Sequence, residues 1–251
     1  MRVREAAAAA LSVFVATSAM ALTADELVAR NIQARGGLEK IRAIQSLKTT
    51  GTLRFTGMGF SVELRYTQLV KRPGMMRMEV TLQGMTAVTA WDGSVGWQVQ
   101  PFQGRIDPER MAADDVKGPQ LAADIDGPLV DAKGKGNTVE SMGTEDVDGT
   151  DAYKLKVTLK NGGVRYVYLD PDYFLEIRTL DQTTIRGVLT EQETDLGNYE
   201  LVNGVYLPFS MEIGAKGGPK GQKITIDKVE ANVEINDAVF HFPAAPAGTA
   251  K

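Results

Sequence analysis

The chain contains no cysteine and a single histidine, His241. The first absence excludes a disulfide framework, a thiolate metal site, a thiol nucleophile and a lipid-modified cysteine, and the second excludes a cluster of imidazole ligands. An excess of basic charge is also lacking: 28 basic against 32 acidic side chains give a formal net charge of −4, so no nucleic-acid partner is expected. No segment approaches the run of about 20 apolar residues that crosses a bilayer as a helix. No phosphate-cradling motif occurs, and neither a cofactor nor a metal is expected. Stability must come from packing, and 26 glycines among 251 residues exceed the ordinary share of about 7%, which suits many tight turns.

What is there begins with an address. Arg2 and Arg4 precede an apolar stretch from Ala6 to Val15, and Ala19-Met20-Ala21 is a small-x-small cleavage site. Residues 1–21 therefore read as a signal peptide cleaved near Ala21, which implies export to a periplasm or secretion.

Thr23 to Ile44 has helical spacing (Leu27, Ile32, Leu38, Ile41, Ile44), a Thr23/Glu26 capping box, and a break at Gly36-Gly37. After Gln45 the period becomes two. Leu47, Thr49, Gly51, Leu53 and Phe55 alternate with polar residues, as do Phe60 to Tyr66, Met76 to Leu82 and Met85 to Trp91; Asp92-Gly93 then turns the chain into Val95 to Gln100. Ile106 to Lys133, with apolar residues near helical spacing and two Gly-Pro pairs, reads as short helices. Strands resume at Thr138 and continue through Tyr153 to Leu159, Val164 to Leu169, Leu175 to Thr183, Val188 to Leu201, Val205 to Ile213 and Lys223 to Val233. The pattern predicts an α+β fold: a strongly curved antiparallel half-barrel of ten or eleven strands, its apolar concave face covered by the N-terminal helix and a helical lid. A split into two domains at Gly134 to Gly136 is the competing organisation; neither half has enough apolar faces to close a core, which favours one domain over 22–251.

Chemistry is sparse. His241 has no Gly-x-Ser-x-Gly elbow to serve, so a structural histidine is the better reading. Asp146-Val147-Asp148-Gly149 lacks the remaining ligands of a calcium loop and reads as a hairpin turn. Asp114-Asp115 and the pair Asp124/Asp126 read as a solvated acidic face rather than acid/base machinery. The glycine-rich Gly214 to Lys223 loop matches no Walker motif and reads as a long hairpin tip. No catalytic residue is assigned, and no enzyme is expected.

The positive signal is methionine: Met58, Met75, Met76, Met78 and Met85, five of the ten, fall within 28 residues. Core filling accounts for such a cluster, but the flexible, polarizable side chain also suits a surface that fits varied apolar ligands. On the concave face of a curved sheet Phe60, Leu64, Tyr66, Met76, Met78 and Trp91 would form an apolar wall for an acyl chain.

At three places in order the residues resemble the LolA-like periplasmic lipoprotein carriers, the outer-membrane lipoprotein-sorting family. Val70-Lys71-Arg72-Pro73 with the strand that follows is similar to that family's Val-Lys-Arg-Pro strand start. Ala87 to Gly93 through Trp97 to Pro101 resembles its Asp-Gly turn and tryptophan-bearing return. Asn236 to Pro243 looks like its Asp-Ala-x-Phe-x-Phe close. The resemblance implies a half-barrel with a helical lid over an acyl-binding cavity, and it gives Arg72 the role of the arginine that latches the lid through lid carbonyls. The sequence departs from the family pattern where Met76 and Met78 replace aromatic residues, and in added residues around Gly134 to Asp151 and Ala215 to Gln222.

The reading that follows is an exported carrier or chaperone for lipoprotein acyl chains or another lipid, with an inner-membrane release complex and an outer-membrane receptor as hypothetical partners. The alternative is a regulatory module that senses lipid or lipoprotein without transport.

Overall fold

The computed structural model describes residues 22–57, 59–185 and 187–244. The expected signal peptide and Met58 lie outside them.

Helices α1 (Ala24–Ala34) and α2 (Leu38–Ala43) open the described chain. The Thr23 hydroxyl accepts from the Glu26 amide while the Glu26 carboxylate accepts from the Thr23 amide, satisfying two donors that a helix start leaves orphaned. The break falls at Gly36, whose φ is +120° and where an added Cβ would stand 2.0 Å from the Gly204 carbonyl oxygen. Only glycine permits both that conformation and that approach.

Thirteen strands follow among the described residues: β1 (Ser46–Gly57), β2 (Phe60–Lys71), β3 (Met75–Leu82), β4 (Met85–Trp91), β5 (Gly96–Gln100), β6 (Arg105–Arg110), β7 (Thr138–Val147), β8 (Thr150–Thr158), β9 (Val164–Leu169), β10 (Glu176–Ile185), β11 (Val188–Val202), β12 (Val205–Ala215) and β13 (Gln222–Ala231). They form one antiparallel sheet in the order β6-β5-β4-β3-β2-β1-β13-β12-β11-β10-β9-β8-β7. The fold is an open, curved α+β half-barrel.

Thirteen exceeds the ten or eleven that alternation indicates, and the strand outside the expected pattern is an edge, β6. Arg105–Arg110, expected as part of a helical segment, is the edge strand β6. It buries no side chain, so it shows no apolar period, and backbone bonds to β5 alone specify it. Within Ile106 to Lys133 only α3 (Lys117–Ala122) is α-helical. Both edges are blunted against further pairing: β6 carries Pro108 among charged residues, and β7 has a register shift between Ser141 and Thr144 and the acidic Glu140, Glu145 and Asp146.

Because neighbouring strands run antiparallel, their connections alternate between two ends. The β2–β3, β4–β5, β7–β8, β9–β10 and β11–β12 turns share an end with α1 and α2, where the Tyr206 amide bonds the Arg35 carbonyl and the Asn31 side-chain amide bonds the Phe174 carbonyl. The β1–β2, β3–β4, β5–β6, β8–β9, β10–β11 and β12–β13 tips lie at the opposite, uncapped end.

The concave face holds the main core. Leu27 from α1 and Leu129 pack on Leu155, Val157, Val167 and Leu169; Ile41, Ile44 and Val130 pack with Val205. The convex face carries a second packing layer. After β13 the chain crosses back over the outside of the sheet, where Ile235 and Phe240 bury against Met75, and the Trp97 indole N–H donates to the Phe240 carbonyl at 2.7 Å. Phe242 meets Trp97 edge-on with ring centroids 6.2 Å apart. The C-terminal motif is thus a strap across the outer surface.

Candidate functional site

Cross-strand register places the six expected wall residues on one face. Val70 pairs with Met76, Gln68 with Met78 and Met76 with Trp91, so Phe60, Leu64 and Tyr66 of β2 point the same way as Met76, Met78 and Trp91. This face is the concave one. Gln98 on β5 and Asp181 on β10 stand eight strands apart, about 38 Å in a flat sheet at 4.8 Å per step, and yet both line one cleft of about 450 Å³.

Within that face the six have different surroundings. Leu64 and Tyr66 are buried among Leu53, Val80 and Ile224, with Phe55, Val62, Met78, Leu82, Met211 and Ile213 partly buried around them. Burial of the Tyr66 ring pushes its phenol well above the usual tyrosine range. Met76 packs with Val70 and Ala123, while Met78 and Trp91 are half-buried beside them. Phe60 is 56% exposed and lies at the uncapped end, so it borders the face rather than lining an enclosed wall. The methionine cluster also divides: Met75 points outward beneath the C-terminal strap, and Met85 is exposed at the β3–β4 tip.

Arg72 follows β2 and reaches across to the covering segments. Its Nε donates to the Ile44 carbonyl at 2.8 Å and an Nη to the Ile41 carbonyl at 3.2 Å, while both Nη atoms bond the Asp126 carboxylate. The carbonyls it holds therefore belong to the end of α2, and the segment between β6 and β7 is held through a carboxylate. Burial opposes ionisation of Asp126, but the Arg72 bond and the charges of Arg72, Lys135 and Arg35 outweigh it and keep the carboxyl below its usual range. The Arg35 guanidinium also donates to the Asp126 carbonyl, and Lys135 binds the Asp124 carboxylate and the Gly127 carbonyl. Asp124 and Asp126, expected on a solvated face, are thus structural ion-pair partners. Sequence spacing gave no sign of this, because Arg72 and Asp126 are 54 positions apart.

The covering segment has two unlike parts. Residues around Ala123, Leu129 and Val130 are wholly buried in the core, whereas α3 has no buried residue and is bordered by clefts of about 450, 430 and 560 Å³. Lys117 in α3 ties it to the far wing of the sheet, donating to the Thr184 carbonyl at 3.1 Å and to Asp114 at 2.8 Å. Before α3, Met111 and Val116 sit against Gly96, where a Cβ would stand 2.4 Å from Val116 Cγ1. The sequence reading missed Lys117, Gly96 and Arg35.

His241 is exposed, with Nδ1 3.4 Å from Asp92 Oδ2. The Asp146 to Gly149 run is the β7–β8 turn, its Asp146 carboxylate accepting from the Gly149 amide. Gly214 to Lys223 forms the end of β12, the β12–β13 tip and the start of β13. Among the described residues no group of three or more acidic or imidazole side chains could hold a metal ion.

The arrangement is a sheet curled round an apolar floor under a partly helical cover that an arginine helps to pin. Solved structures agree with this geometry. A DUF1329 family protein from Desulfovibrio piger superposes with a TM-score of 0.59 at 14% identity, over 87% of this chain and 97% of that one. A LolA superfamily protein from Nitrosomonas europaea gives 0.59 at 14%, over 88% and 98%. A putative outer membrane lipoprotein-sorting protein domain from Vibrio parahaemolyticus gives 0.57 at 13%, over 85% and 94%. No family model and no curated protein sequence matches the chain. At these identities the likeness establishes the fold, and function has to be argued from the site.

Proposed function

We propose that residues 22–251 act as a single-domain carrier, exported to the periplasm, that shelters acyl chains of lipoproteins or other lipids and shuttles them toward the outer membrane. The observation that carries this reading is the concave floor. Leu64, Tyr66, Met76, Met78 and Trp91 share one apolar face, and the helix above part of it is itself unburied and flanked by clefts. Met78 and Trp91 retain exposure there, so a chain displacing water from them and from the partly buried Phe55, Val62 and Leu82 gains about 0.8 kcal/mol per buried methylene. The likeness in fold to a putative outer membrane lipoprotein-sorting protein domain supports the same reading. An inner-membrane release complex would deliver the cargo and an outer-membrane receptor accept it. No step in this scheme requires a reacting group.

Native mass spectrometry and lipid extraction of protein purified from a periplasmic fraction test the proposal. A bound acyl species is the expected result, and protein that is empty in repeated preparations overturns it. Transfer of a fluorescent lipid from the loaded protein to acceptor vesicles separates carriage from sensing: binding without transfer would favour a lipid-sensing regulatory module.

A further inference from the structure

The turns at the two ends of the half-barrel differ in chemistry. The six connections at the uncapped end, taken as residues 56–61, 83–86, 100–106, 160–163, 185–190 and 215–222, contain no aspartate or glutamate. By sequence they contain Arg105, Lys160, Arg186, Lys216 and Lys220. At the helix-capped end the turns carry Asp92, Asp148, Asp170 and Asp172, with Arg72 as their one cation. In a chain whose net charge is −4 this is a marked segregation. Lys216 and Lys220 are paired inward with Glu191 and Glu193, and Arg105 with Glu109. Lys160 forms no ion pair among the described residues.

The same end collects the apolar exposure. Of the eleven large hydrophobic side chains that stand exposed among the described residues, Phe60, Met85, Phe102, Ile106, Val188 and Leu189 all lie at these tips. They sit on four separate hairpins along an arc, gathered at one end of the sheet rather than spread over the surface. A second copy or a folded partner would need one contiguous complementary patch. Asp114 and Asp115 line a cleft with Arg105 and Ile185, but the connections themselves carry cations and no carboxylate, and separate apolar points with that charge fit a fluid, negatively charged surface.

We propose that the uncapped end of the half-barrel docks on an anionic lipid bilayer, its hairpin tips entering the headgroup region. The concave floor continues to this end through Phe55, Val62 and Leu82, which are half-buried there, so docking sets the open end of the apolar face against the bilayer. The inference deepens the carrier reading by naming a partner surface, and it stands on charge and exposure that the carrier reading does not use.

Flotation with phosphatidylcholine vesicles, with and without about one-third phosphatidylglycerol, tests it. The protein is expected to float with the anionic vesicles at least fivefold more than with the neutral ones, and less as salt rises. A variant carrying Phe60→Ser, Phe102→Ser and Val188→Ser is expected to lose most of that binding at unchanged thermal stability. So is Arg105→Glu with Lys160→Glu. A control variant, Tyr173→Ser with Leu201→Ser, removes equally exposed side chains from the capped end and is expected to bind as wild type. Absence of binding to anionic vesicles, equal binding by the tip variants, or equal loss in the control overturns the proposal. Acyl occupancy measured by mass spectrometry on the tip variants keeps the two ideas apart: retained lipid with lost flotation is the expected result, and an empty wild-type protein that still floats would end the carrier reading alone.

Discussion

Arg72 and Asp126 form a two-pronged ion pair that fastens the segment between β6 and β7 to the end of β2, at a point where the same guanidinium already holds two carbonyls of α2. One side chain thereby unites three pieces of chain.

Arg72→Leu leaves the buried Asp126 carboxylate without its partner. The expected loss is about 2–3 kcal/mol, below the 3–5 of a fully buried pair because both ends keep some solvent. Urea unfolding of Arg72→Leu, Asp126→Ala and the double variant should give a coupling energy above about 1 kcal/mol. Strictly additive effects would show that the pair does not act as a unit.

Asp92 makes a pH prediction. Burial opposes its ionisation, yet bonds from the Val95 and Ser94 amides, the Ser94 hydroxyl and His241 prevail and hold the carboxyl at about 2. A folded-state value below the unfolded one, about 3.9, contributes stability that is full above the unfolded value and lost as pH falls through the folded one. Asp92→Ala should therefore melt lower than wild type at pH 7, with the difference shrinking between about pH 4 and 2. A gap that stays constant across a melting series from pH 7 to 2 would contradict this.

The C-terminal strap is expected to be integral to stability. Phe240 is wholly buried, so Phe240→Ala should cost about 3–5 kcal/mol. Trp97→Phe, which removes the indole donor to the Phe240 carbonyl, should cost about 1–2 kcal/mol. Denaturant midpoints decide both, and a neutral Phe240→Ala would mean the strap is dispensable.

Gly36→Ala meets a backbone oxygen at 2.0 Å with φ at +120°, whereas Gly59→Ala, at φ +80°, has nothing within 4 Å. The first should cost about 2–4 kcal/mol and the second about 1, because only the first adds a clash to the backbone strain. Equal costs would show that strain alone operates.

Hydrogen exchange should separate the two parts of the cover. Amides of α3 are expected to exchange through local opening, while those of Leu155, Val157 and Val167 await global unfolding. Lys117→Ala should accelerate exchange over residues 112–122 without changing the melting temperature. Unchanged rates there would remove Lys117 as the tie between α3 and the far wing.

Much of the fold was legible in the sequence because its signals are local. Alternation gave the central strands, Thr23 and Glu26 marked the helix start, Gly36-Gly37 marked its break, and Asp92-Gly93 marked a turn. The shared face of Leu64, Tyr66, Met76, Met78 and Trp91 follows from period two once the hairpins are known. Tertiary structure decided the rest. Edge strand β6 buries nothing, so no side-chain period announces it. The outward placement of Met75 depends on the strap that covers it, and the partnership of Arg72 with Asp126 depends on a chain crossing 54 residues later. The separation of charge between the two ends exists only when alternate turns are gathered in space: each turn taken singly is an ordinary polar loop, and antiparallel connectivity sums six of them into one basic, apolar rim.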